Sequence, residues 1–443
     1  MRICIFTIGT QGDVRPFAAL GRRLRTLGHD VTIVTSDRHR ALIDQAGLGH
    51  VAIESDFAEL MTREQALLDS GNQLKVGRAV ARAMTDWMPR WAEQGMDATQ
   101  DADLVLGSGS GTILGDAVAE KRGLPFVQAQ FMPLTPSRYI PPLWPAPRRA
   151  LPGVANLALS HALRVATWRL LAEPSQAIRR SFGLSPFPWR GPWYSSEQRA
   201  RPKPVLYAFS RHLQPQPIDW PKERAAVVGF WSLDQAQDWT PSPELRDFLA
   251  AGPPPIYVGF GSMLTGRTDS LTQLVLEAIR RSGRRAIVAT GWGALQPKGA
   301  DAPDDVLFID NVPHDWLFPR VELAVHHGGA GTTAAAMRAG LPQVVVPFVA
   351  DQFFWAWRLK RIGLNPMLLD RKRMTAQDLA DAISLAGGGD VGATAQRLGA
   401  LVRTEDGVAN AMEALERWGV RPQATILSQP PLISDIRARS GQA

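Results

Sequence analysis

The stretch HHGGAGTTAAAMRAGLPQVVVPFVADQ, His326 to Gln352, concentrates polar groups at a spacing that could do chemistry. An apolar run enters it, glycines turn the chain, and a helix of small residues leaves. That order places free backbone amides at a helix N-terminus, at the carboxyl end of a strand, where open α/β sheets bind ligands. Gly328, Gly329 and Gly331 let the main chain approach an anion, Thr332 and Thr333 add hydroxyl donors, and His327 offers another donor to a phosphate oxygen. The glycines alone fit a tight turn before a capped helix equally well; the whole cluster favours an anion site. A second loop, IGTQGDVRP from Ile8 to Pro16, also follows an apolar run and precedes a helical pattern. It carries an acid, Asp13, which would repel a phosphate. On local sequence Asp13 is an N-cap for a helix over 14–27, with Pro16 in the first turn. A dinucleotide-binding loop fits poorly, because GTQGDV lacks the full G-x-G-x-x-G pattern, although Asp37 ends the second strand where a ribose-binding acid could sit.

The His326–Gln352 run resembles the nucleotide-sugar signature of family 1 glycosyltransferases, which have the GT-B fold. It is most similar to the branch with sterol, glycopeptide and other antibiotic glycosyltransferases. FLAAGPPPIYVGFGSM (248–263) and IGTQGDVRP resemble the same branch, so the likeness spans nearly the whole chain and is weakest over 131–245. The resemblance implies that His327, Gly329, Gly331, Thr332 and Thr333 hold a donor diphosphate, with Ser262 nearby. It implies that Val312 meets the nucleotide base through its main chain, and that Asp351 and Gln352 hydrogen-bond the sugar hydroxyls. Asp13 matches the residue proposed in that branch to take the proton from an acceptor hydroxyl. The chain departs from the plant pattern at Ala335, where an acid would hold the ribose, and at Asn311, where a Trp would stack on the base. That leaves UDP- and dTDP-sugars both open, with UDP-glucose expected. GSGSG (107–111) offers no second acid, so Asp13 would act alone.

These residues need elements to position them. RICIFTIG, VTIVTS, DLVLGSGS and PFVQAQ read as strands separated by helical patterns, and the rhythm restarts at PIYVGFGS (255–262). Alternation of this kind predicts parallel, doubly wound sheets. The expected fold is therefore α/β: two Rossmann-like domains facing across a cleft. An acceptor domain is expected over 1–215, a linker over 216–243, a nucleotide-sugar domain over 244–403, and a terminal helix and disordered tail over 404–443.

Lys plus Arg number 49 against 42 Asp plus Glu, a net charge of +7 in 443 residues. This balance suits anionic small molecules or membrane surfaces; dispersed arginines make nucleic acid the weakest partner. The single cysteine, Cys4, excludes an intramolecular disulfide. No cofactor or metal is expected: DAD (101–103) lies before a strand, at the wrong end of the sheet for a metal-binding pair. The first residues read as a strand and no segment is apolar enough to span a membrane, giving a cytoplasmic expectation, with peripheral membrane contact open. Trp87 and Met88 share a helical face that is more often core than pocket, and Trp144 lies in a Pro- and Trp-rich stretch; these three are the acceptor candidates. His314 and His326 have no assigned role beyond structure. A sugar-nucleotide 2-epimerase, or a catalytically silent nucleotide-sugar binder, could share the architecture.

Overall fold

The computed structural model describes residues 1–54, 59–60, 63–64, 67, 73–143, 151–195, 203–233, 239–261, 268–291, 295, 303–310 and 312–420. Two all-parallel sheets organise them. The first has the order β3-β2-β1-β4-β5-β6-β7, built from β1 (Arg2–Ile8), β2 (Asp30–Thr35), β3 (Gly49–Ala52), β4 (Leu104–Gly109), β5 (Phe126–Gln130), β6 (Val205–Tyr207) and β7 (Ala225–Val227). The second has the order β10-β9-β8-β11-β12, from β8 (Ile256–Gly259), β9 (Ala286–Ala289), β10 (Val306–Ile309), β11 (Ala324–His326) and β12 (Gln343–Val345). In β1 every residue from Ile3 to Ile8 is buried, as helices on both faces of a parallel sheet require.

Strand order reverses between β1 and β4, and again between β8 and β11. Loops leaving those neighbours diverge to opposite faces and open a crevice at the carboxyl ends. The helix after β1 carries Asp13 in its first turn, and the loop after β11 carries His327. Each candidate site thus lies at the switch point of its own sheet.

The first sheet reaches past residue 215. Val205 to Tyr207 pair with Ala225 to Val227, inside the stretch expected as linker. Three residues after a Pro- and Trp-rich run are too short for a periodicity signal. The terminal helix Gly407–Arg417 also returns to the first domain, where Val408, Ala411 and Leu415 join the core under the helix Gln11–Thr26. The chain therefore crosses between the domains twice, and the crossings touch. Trp231 Nε1 donates to the Gly407 carbonyl at 3.1 Å. A Cβ on Gly407 would lie 2.4 Å from the Phe230 carbonyl oxygen and 2.9 Å from the Gly229 carbonyl carbon.

A further core is shared by the two domains. Tyr207, Phe209, Leu213 and Trp220 of the first pack with Met337, Phe354, Trp355 and Leu359 of the second. Tyr207 stacks on Trp220 with ring centroids 4.5 Å apart, and Phe209 meets Trp355 edge-on at 5.5 Å. Because neither backbone crossing at Gly407 has slack, Gly407→Ala should destabilise the protein by about 1–3 kcal/mol. Urea titration should show a lower midpoint with an unchanged m-value; an unchanged midpoint would mean that the crossings are not packed as described.

Candidate active site

The donor loop is built around a buried imidazole. His326, at the end of β11, is fully buried; its Nε2 faces Gln343 Oε1 at 2.9 Å and the Gly328 N–H donates to its Nδ1 at 3.0 Å. The two partners fix one neutral tautomer, and burial pushes its pKa down to about 3. His326 is scaffold for the turn. Gly329 caps the helix Ala330–Ala339, whose first in-register bond runs from Thr333 N–H to the Gly329 carbonyl at 3.0 Å. Helix geometry gives the amides of residues 330–332 no intrahelical acceptor. Gly331 faces open space, and the Thr333 hydroxyl is buried with no hydrogen-bond partner. The His327 ring lies against Gly329, with Nε2 2.3 Å from where a Cβ would stand. Burial pushes its pKa down to about 4, opposed by the Gly259 carbonyl. His327 is thus a neutral imidazole with a buried Nδ1 that has no hydrogen-bond partner, beside a helix end whose free amides suit an anion.

The loop 346–351 ends in a strained residue. Among the described residues, Ala350 is the one non-glycine with positive φ, at 51°. Such a conformation costs about 1–2 kcal/mol and persists only where the surroundings impose it. It delivers Asp351 to the start of the helix Gln352–Arg361, where one carboxylate oxygen accepts from Trp355 Nε1 at 2.9 Å. Gln352 turns back instead: its Oε1 accepts from the Phe348 and Val349 amides at 2.7 and 3.0 Å. Its acceptor is committed to the backbone, a use that the expected sugar contact did not include.

Across the cleft, the helix Gln11–Thr26 begins earlier than expected, with Thr10 as N-cap. Asp13 is the third helical residue, and its Oδ2 accepts from the Thr10 N–H at 2.7 Å and the Thr10 hydroxyl at 3.0 Å. Asp13 therefore closes a capping box with Thr10 instead of serving as the N-cap itself, and both of these hydrogen bonds fall on Oδ2. Gly9, at φ 154°, is required because a Cβ there would stand 2.3 Å from Asp13 Oδ2. The buried His39 holds the same loop, with Nε2 3.2 Å from the Gly9 carbonyl.

The helix Gln11–Thr26 touches the helix Ala330–Ala339 across the domains, so the two candidate sites lie side by side. Burial raises the pKa of Asp13, against the two Thr10 hydrogen bonds. Burial also raises Asp351, to about 6, with Trp355 opposing and the Asp13 charge adding. His314 lies in the same field: it stacks on Phe318 at 4.4 Å, and burial, then Arg15 and His327, hold its pKa near 4. Arg15 of the first domain in turn feels Asp315 of the second. Val312 is half-buried and packs, like Ala335, against the core beneath this side of the cleft.

Other candidates fall elsewhere. Met88 is fully buried among Met84, Trp91 and Leu114, so it is core and not a cleft wall; Trp87 is partly buried, 5.5 Å from Trp91. Asp101 and Asp103 pair with Arg2 at the amino edge of the sheet, away from either crevice. Ser262, Asn311 and Trp144 lie outside the described residues. Sequence reasoning missed Arg15, His39, Ala350 and Trp355. Only Trp355 had a signal, standing four residues after Asp351 on one helix face.

The raised Asp351 pKa has a stability consequence. The folded state holds this proton more tightly than the unfolded chain, so stability falls as pH rises from about 4 to about 6 and stays lower above. Asp351→Asn keeps an acceptor for Trp355 and removes the buried charge. Its Tm should exceed that of the parent by about 2–5 °C at pH 8 and match it at pH 4. A lower Tm at pH 8 would refute the buried-charge account.

Comparisons with known proteins agree with this geometry. The family model for the glycosyltransferase family 28 N-terminal domain matches residues 3–141, and that for the erythromycin biosynthesis protein CIII-like C-terminal domain matches 273–409. The chain is 34% identical to the O-mycaminosyltylonolide 6-deoxyallosyltransferase of Streptomyces fradiae, over 94% of this chain and 97% of that one. It is 30% identical to the sterol 3-beta-glucosyltransferase UGT80B1 of Arabidopsis thaliana, over 94% of this chain and 68% of that one. It is 33% identical to a Cryptococcus neoformans sterol 3-beta-glucosyltransferase, of which it spans only 27%. Among solved structures, the kitacinnamycin glycotransferase superposes with a TM-score of 0.68 at 18% identity, covering 94% of this chain and 98% of that one. The glycosyltransferase VinC, solved with dTDP, gives 0.65 at 18% identity, covering 95% and 100%. Two switch-point crevices, an anion-ready helix end and these relatives together place the chain in the GT-B glycosyltransferases of the sterol and antibiotic type, which transfer a sugar to a small-molecule acceptor.

Proposed function

We propose that the chain moves glucose from UDP-glucose to a hydroxyl of a largely apolar acceptor, a sterol, polyketide or phenolic compound, with inversion at the anomeric carbon. The observation that carries this reading is the contact of the helix Gln11–Thr26, which holds Asp13 in its first turn, with the helix Ala330–Ala339 of the second domain. Asp13 takes the acceptor proton as the hydroxyl oxygen attacks the anomeric carbon. The bond to the diphosphate breaks on the opposite face, so one displacement turns an α-linked donor into a β-glycoside. Charge growing on the leaving diphosphate meets the amides of residues 330–332, the Thr333 hydroxyl and the His327 N–H, all fixed before reaction. Asp351 accepts hydrogen bonds from the sugar hydroxyls. Glucose is supported by the names of the sterol relatives. A thymidine-linked donor is the second reading, supported by Ala335, which offers the ribose no acid, and by the dTDP-bound relative.

Mass spectrometry after incubation with UDP-glucose and pooled sterol, phenolic and polyketide alcohols should show a hexose added to one acceptor. Asp13→Asn should lower turnover by about 10²–10⁴-fold and leave donor binding nearly unchanged. Full activity in that variant would remove Asp13 from the chemistry, and an altered nucleotide-sugar without acceptor would indicate the epimerase. A finer test uses Trp355→Phe, which keeps an aromatic ring and deletes the donor to Asp351. The Asp351 pKa should rise further, moving the acid limb of kcat/KM up by about 0.5–1 pH unit. An unmoved limb would mean that Asp351 ionisation does not control transfer.

A further inference from the structure

Between Glu120 and Glu197 the sequence holds one acidic residue, Glu173, against Lys121 and nine arginines. Within the fold, Arg179 is buried against Glu120, Arg180 pairs with Glu173, Arg122 donates to the Met96 carbonyl and Lys121 to the Phe182 carbonyl. Arg138, Arg169 and Arg190 are exposed, and Arg164 is half-buried. The same region bears large apolar side chains in solvent, with Trp189 68%, Val154 67% and Tyr139 58% exposed. These segments form one surface. Arg164 bonds the Leu134 carbonyl at 3.1 Å and lies over the Trp193 ring at 4.7 Å, joining 134 to 193. Asn156 Nδ2 donates to the Arg138 carbonyl at 3.1 Å, tying in the start of the helix Gly153–Ser181. Arg190 lies 5.9 Å from the Trp189 ring.

We infer that this face docks on an anionic lipid bilayer. Exposed tryptophan and tyrosine beside arginine suit the headgroup layer, where rings sink to the acyl boundary and guanidinium groups remain among the phosphates. A protein partner would need complementary acidic pockets, whereas a bilayer asks only for the sign of charge and an apolar edge; the face presents both, with one acid beside it, Asp219, which accepts from the Ser137 hydroxyl and the Arg138 N–H. No described helix is long and apolar enough to cross the membrane, so the contact is peripheral. Residues 131–143 leave the carboxyl end of β5, the sheet edge that also carries the Asp13 loop, and Phe131 packs on Phe17 of the Asp13 helix at 5.4 Å. The docked face therefore adjoins the first-domain crevice. Binding itself does not depend on which sugar or acceptor is used.

Co-sedimentation of the full chain with vesicles of phosphatidylcholine alone, or mixed with phosphatidylglycerol, tests this. The expected result is at least about tenfold tighter binding to the anionic vesicles, weakened by salt. Arg138→Glu with Arg190→Glu should lose about tenfold or more, and Trp189→Ala should lose severalfold even in high salt. A control pair on the second domain, Arg373→Glu with Arg397→Glu, should bind like the parent; circular dichroism confirms that each variant is folded. Equal binding to neutral vesicles, equal loss in the control pair, or no binding to either vesicle overturns the proposal. So does retention on duplex DNA that depends on the same residues and matches the vesicle affinity, which would mark a general polyanion surface.

Discussion

The indole of Trp355 joins the packing of the molecule to its chemistry. Its ring closes the core shared by the domains, against Phe209, and its Nε1–H holds a carboxylate oxygen of Asp351. A buried aromatic ring has few positions to occupy once both domains have packed on it. The acid at the helix start is therefore fixed relative to the first domain as well as to its own. Arg358 adds a backbone tie nearby, donating from the same helix to the Leu213 carbonyl at 2.6 Å. The strained φ of Ala350 persists because this assembly, more than the local sequence, decides where Asp351 stands.

Holding Asp351 there has an electrostatic cost. Burial disfavours its charge, and Asp13 adds repulsion, so both acids have pKa values above the ordinary carboxylate. Each domain offsets part of this with its own donors: Thr10 for Asp13 and Trp355 for Asp351. A polyol between the acids would supply hydroxyl donors to both. In the proposed reaction, donor and acceptor hydroxyls thus relieve this repulsion, and the relief favours binding of hydroxyl-rich ligands over anions on this side.

Much of this was legible in the sequence because the informative features are local. Alternating apolar runs gave two parallel sheets, and the glycine turn after β11 marked its helix end. Asp13 reads as an N-cap on local sequence because Thr10 does not stand out; with the helix beginning at Gln11, the acid instead turns back on Thr10 from the third helical position. What stayed hidden depends on contacts far apart in the chain. β7 is three residues long, Met88 became core because three helices close over it, and Gln352 spends its acceptor on a backbone turn that only the folded loop creates. The meeting of Phe209 with Trp355 has no sequence signature at all.

The arrangement of charge across the cleft fits a displacement at one carbon. On the donor side, the helix end at Gly329, the unpartnered Thr333 hydroxyl and neutral His327 present hydrogen-bond donors and a partial positive field. On the first-domain side stands Asp13, the proposed base. His327 must stay neutral for this to work at ordinary pH: a charged imidazole would bind the diphosphate of the substrate as strongly as that of the product, whereas fixed dipoles gain most as charge develops on the leaving oxygen. Burial supplies that neutrality by holding the pKa near 4. The same low dielectric that keeps His327 uncharged raises Asp13 toward the pH at which it can accept a proton effectively. In the proposed reaction, one physical condition, partial burial at the junction of two sheet edges, shifts the pKa of the group that would receive the proton and of the group that would steady the departing phosphate in the directions each requires.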